Sequence, residues 1–176
     1  LDYSNAMHHY ARGVALARQG KGDEAMAERD QLAAMKDSVQ VNFMDTNDYP
    51  ASVLLNIADH LLLGEIDMSR GIPNSAAIHF KQAVDLQDTL PYMEPPFWYY
   101  PTRQSLGEAL LEAGRNDEAE AVYRKDLVDY PHNGWSMYGL MQALEAQGKT
   151  DEAAKVREMF HHAWSNADVE LTGSRL

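Results

Sequence analysis

The chain is predicted to be all-α and built of paired helices, and three observations carry that prediction. Apolar residues recur at helical spacing, glycines punctuate the segments at regular intervals, and one block of sequence returns several times. Residues 13–28 (GVALARQGKGDEAMAE), 107–122 (GEALLEAGRNDEAEAV) and 141–156 (MQALEAQGKTDEAAKV) share a glycine seven residues into the block and an Asp-Glu-Ala three residues after it. The last two lie 34 residues apart. A fourth, more diverged copy, GEIDMSRGIPNSAAIHFKQA, keeps Gly64, Gly71, Ala76, Phe80 and Ala83 at the matching offsets.

Each copy reads as two amphipathic helices joined at its second glycine, just past the first helix, where a residue with positive φ is wanted. The copies fall at 6–39, 57–90, 100–133 and 134–167, with insertions at 40–56 and 91–99, and the chain is expected to form a single helical-repeat domain over 1–176. In the first helices Gly13, Gly64 and Gly107, and in the second Ala25, Ala76, Ala119 and Ala153, are small because the two backbones are expected to approach closely there. In the third copy Leu106, Leu110, Tyr123 and Leu127 fill between neighbouring pairs; in the fourth Leu140, Leu144, Val156 and Phe160 do so. Pro131 closes the third pair. Pro50 suits a first helical residue, so the first helix of the second copy is expected to begin near it and to reach Arg70. Ser165 onward is too short and polar for a capping helix of ordinary length, and the end of the chain reads as a true terminus while its start reads as cut.

This pattern resembles the tetratricopeptide repeat. The third copy matches it at Leu106, Gly107, Leu110, Ala119, Tyr123 and Pro131, and the four copies cover about three quarters of the chain. Arg29 and Arg157 stand where that family has an aromatic, and Met141 stands where it has a small residue; these departures are expected to loosen their pairs. The resemblance implies an α-solenoid of antiparallel helix pairs, in the C-terminal part of a longer, bacterial-type protein. It also implies that the first helices line a concave groove for a peptide or a partner's helix.

Composition narrows the partner. With 45% apolar and 24% charged residues the chain has the make-up of a packed, soluble domain. The most apolar stretch, 52–66, is broken by Asn56, Asp59, His60 and Glu65, which rules it out as a membrane span. No basic and apolar leader is visible, and this segment names no compartment. There is no Cys, so thiol catalysis, disulfides and Cys-ligated zinc are excluded together. Residues 40–133 carry −9 of the net −12, which disfavours nucleic acid and anionic membranes and suits a basic or amphipathic protein segment.

No catalytic motif is present: there is no phosphate loop, nucleophile elbow or His-Glu-x-x-His. His8-His9 and His161-His162 are adjacent, and helical neighbours diverge by about 100° rather than converging on an ion. His60 and His79 are expected to approach each other within the second copy, as a histidine pair rather than a metal centre. The expectation is a non-enzymatic module without cofactor or metal. By the resemblance, the inward positions include Tyr10 in the first copy, Glu65 in the second, Gln104 and Glu108 in the third, and Trp135, Tyr138 and Gln142 in the fourth. Lys, Arg and Asn, which members that clamp a C-terminal carboxylate place there, are missing. The alternative is a structural or self-associating scaffold whose parent carries its activity elsewhere.

One stretch stands apart. PYMEPPFWYYP, residues 91–101, holds four prolines and five of the sixteen aromatic residues, and it fills the second insertion and runs into the first turn of the third copy. It only approximates known proline-rich ligands. Its aromatics are expected to anchor the insertion to the helices, with Tyr92 and Trp98 as candidates for the rim of the groove.

Overall fold

The computed structural model describes residues 1–175, and among them the regular elements are nine helices and no strand. They form two compact units, Leu1–Thr102 and the remainder from Arg103.

The first unit holds α1 (Asp2–Arg18), α2 (Gly22–Met35), α3 (Val39–Thr46), α4 (Ala51–Ser69) and α5 (Pro73–Gln87). The second holds α6 (Arg103–Glu112), α7 (Asn116–Asp129), α8 (Gly134–Ala146) and α9 (Thr150–Ala163). The four recurring blocks lie on the pairs α1–α2, α4–α5, α6–α7 and α8–α9, each packed helix against helix. The extent of α4 agrees with the long helix that Pro50 announces. The insertion ahead of it contains α3, capped by the Ser38 side chain on the Val41 N–H.

The hairpin turns are built alike because each solves one problem, the unpaired carbonyls at a helix end. Gly20, Gly71, Gly114 and Gly148 all have φ between 69° and 75°. The residue after each glycine returns its N–H to the carbonyl five residues back: Lys21 to Leu16, Ile72 to Asp67, Arg115 to Leu110 and Lys149 to Leu144, all at 2.9–3.0 Å. That is the Schellman arrangement, and only glycine enters the left-handed region at little cost.

Gly13 is closed in by the Leu62 side chain of α4, and Gly64 and Gly107 serve a different end from the one expected. A Cβ on Gly64 would strike the ring of Phe80, and one on Gly107 or Gly139 would strike the ring of Tyr123. They seat an aromatic side chain from the second helix, so it is ring volume, not contact of two backbones, that demands the missing Cβ. In the first unit the core is centred on α4, whose Leu54, Leu55, Ile57, Leu61, Leu62 and Ile66 are all buried. Such all-round burial marks a helix enclosed by neighbours, here α1, α2, α3 and α5.

Arg29 reaches out of its own pair. It forks onto Asp59 of α4 at 2.6 and 3.1 Å, and Lys36 adds a third bond at 2.6 Å. Burial works to raise the Asp59 pKa, but the hydrogen bonds from Arg29 and Lys36 outweigh it and hold the carboxyl below its ordinary value. Arg157 likewise pairs with Glu145 across α8 and α9.

Candidate partner-binding faces

In the first unit, segment 91–102 returns as a strap over α1. Trp98 is buried, edge-on to Tyr10 with ring centroids 5.7 Å apart, while Tyr99 meets the Tyr10 hydroxyl at 3.3 Å. Phe97 packs edge-on to Tyr49, which does the same with Tyr3. The strap is tied at its far end by Gln87, whose Oε1 accepts from the Thr102 N–H at 2.8 Å and hydroxyl at 2.7 Å while its Nε2 donates to the Tyr100 carbonyl. Tyr10 therefore lies beneath chain, and burial pushes its phenol pKa well up.

Glu65 is also buried and is gripped at both oxygens by Arg18, each bond 3.0 Å. Of the two rim candidates, Trp98 is interior and Tyr92 is 88% exposed, its hydroxyl donating to Glu94 Oε1. Met93, next to it in sequence, is exposed, and so is Tyr99.

Elsewhere in this unit the His60 and His79 rings stack at 5.9 Å. Burial lowers the His60 pKa, favouring the neutral ring. His79 has a carboxylate, Asp67, at 3.9 Å. Among the described residues no three metal-binding side chains are grouped to hold an ion.

In the second unit Gln104 and Glu108 occupy one face of α6, and there too another part of the chain meets them. Ser174, fully buried, donates its N–H to Glu108 Oε2 at 2.6 Å and its hydroxyl to the same oxygen at 2.7 Å. With that hydroxyl spent on the carboxylate, the Tyr123 phenol donates to Ser174 Oγ. A polar cluster lies alongside. Asp126 Oδ2 accepts from Ser136 Oγ at 2.5 Å and Asn133 Nδ2 at 2.8 Å, and Asn133 Oδ1 accepts from Gln104 Nε2 at 3.2 Å and from the Trp135 N–H. Burial raises the Asp126 pKa against the two bonds that lower it.

Trp135 and Tyr138 of α8 are half-buried and turn to α9. Trp135 is edge-on to Trp164 at 5.7 Å, and Tyr138 is tilted against Phe160 at 5.8 Å. Gln142 is half-buried on the same helix. The polar cluster of Tyr123, Asp126, Asn133 and Ser136 is not marked as a site by the sequence pattern. Asn133 carries the one local signal, an N-cap residue before α8, whereas Ser174 lies 66 residues from Glu108 and gives none.

The family model described as tetratricopeptide repeat matches residues 6–31 and 105–125, one stretch in each unit. With nine helices in repeated pairs, the chain resembles that family and has the all-α class of a helical-repeat solenoid. No curated protein and no solved structure matches the chain. Repeats of this family generally mediate protein–protein interaction, and no helix among the described residues is long and apolar enough to cross a membrane.

Proposed function

We propose that this chain is a non-enzymatic protein- or peptide-binding module that receives an extended or amphipathic segment, basic rather than acidic, along the inward faces of its first helices. The repeat boundaries are those of the sequence pattern, 6–39, 57–90, 100–133 and 134–167. The observation that carries the reading is the α6 face, where Glu108 already accepts a main-chain N–H and a hydroxyl from a distant stretch of chain and the Tyr123 phenol donates to that hydroxyl's oxygen. A carboxylate placed to accept a main-chain N–H and a side-chain hydroxyl together is the kind of polar contact by which a helix face recognises a peptide. The charge of −12 adds attraction for a basic segment and speeds its encounter.

Tyr10, beneath the strap, and Glu65, held by Arg18, enter this proposal as the counterparts in the first unit; Gln104, Glu108, Trp135, Tyr138 and Gln142 are the contact residues in the second. A double Trp135→Ala, Tyr138→Ala protein is expected to bind a partner isolated by pull-down at least about tenfold more weakly than the parent, as removal of two aromatic anchors does at many interfaces. Thermal unfolding of the same variant checks that the fold survives. Undiminished affinity in a folded variant would refute the assignment of these faces.

A further inference from the structure

The pocket on α6 has acceptors to spare. Besides Glu108, two oxygens of the cluster linked through Asn133, Gln104 Oε1 and Asp126 Oδ1, are buried without a hydrogen-bond partner, their residues being 3% and 0% exposed. The main-chain carbonyl of Gln104, not its side chain, faces Ser174 Oγ at 3.5 Å. A buried acceptor left unpaired is costly, and the chain's own segment leaves these two oxygens unanswered while it satisfies Glu108. Donors that fit are a backbone N–H, a hydroxyl and a basic side chain.

The segment that answers Glu108 runs Gly173 without a side chain, Ser174 with two donors, then Arg175. The fit at Gly173 is close, since a Cβ there would stand 2.7 Å from Glu108 Oε1. Its φ lies outside the left-handed region, so proximity to Glu108, rather than backbone strain, is what favours glycine there.

Resting on the binding reading above, we propose that the Gln104–Glu108–Tyr123–Asp126 pocket selects partner segments of the form small residue, Ser or Thr, basic residue. Residues 171–175, Leu-Thr-Gly-Ser-Arg, are its intramolecular stand-in, displaced when such a partner segment binds. A tethered competitor acts at an effective concentration on the order of millimolar, so it screens out weak ligands and admits those that present the matching donors. The pocket is thereby gated by its own chain.

The test uses the full chain and a fluorescein-labelled peptide Glu-Leu-Thr-Gly-Ser-Arg, read by fluorescence anisotropy. Ser174→Pro removes both donors of the resident segment and leaves α6 untouched. This variant is expected to bind the peptide at least about tenfold more tightly than the unaltered chain. Adding Glu108→Ala is expected to abolish that gain, and a peptide with Ala in place of Ser to lose about as much. Equal affinity of the two proteins, or binding indifferent to Glu108→Ala, would overturn the proposal.

A second measurement needs no variant. Saturating peptide is expected to accelerate amide hydrogen exchange at Ser174 of the unaltered protein at least about tenfold, and unchanged protection would overturn displacement. Because the probe is a peptide and not the cellular partner, failure here leaves the Trp135/Tyr138 result standing, and failure there leaves this one.

Discussion

Asp59 is a carboxylate on the most apolar helix of the chain, tolerable only because Arg29 and Lys36 reach it from α2 and its C-terminal end. Breaking a buried ion pair by deleting one partner costs about 3 kcal/mol, since the survivors lose their compensation. Asp59→Ala is expected to lower unfolding free energy by about that amount in urea titration; a loss under about 1 kcal/mol would show the cluster to be a surface ornament. From the sequence Arg29 looked like a defect, because the residue that justifies it is 30 positions away.

Glu120 makes the same point on the acid side. Hydrogen bonding from Lys149 leads, burial opposes it, and Arg124 and Gln147 add to the pull that holds its pKa down to about 2, against an ordinary 4.5. A depressed carboxylate pKa favours the fold above its unfolded value and loses that contribution as pH falls through the folded one. Stability is therefore expected to decline between about pH 4.5 and pH 2, with a shallower decline in Glu120→Gln, measured by denaturant midpoints across that range.

Among the elements, the helices announce themselves and the strap does not. Four glycines at the same turn position and a 34-residue interval mark the hairpins in the primary structure, because capping and amphipathic spacing are local rules. The strap has neither period nor partner in its sequence. Its composition predicts anchoring, yet only the fold sorts Trp98, buried at 3% exposure, from Tyr92 at 88%. Trp98→Ala would leave a large void over Tyr10 and is expected to cost about 3–5 kcal/mol in the unfolding of the first unit. Near-neutral behaviour in calorimetry would mean that the strap is not packed there.

At the scale of the whole molecule, the sequence by itself determined the helix pairs, their turns, the resemblance to tetratricopeptide repeats and an acidic surface. Each follows from residues within a turn or two of one another, or from a simple sum of charge. It also placed Gln104 and Glu108 on one helix face, where the structure has them together. Tertiary structure alone decided which faces are covered. Tyr10 meets Tyr99 across 89 positions and Glu108 meets Ser174 across 66, contacts set by where packed helices leave room and acceptors for returning chain. No periodicity encodes such a meeting, because its energy comes from burial and hydrogen bonding between segments whose local patterns are independent.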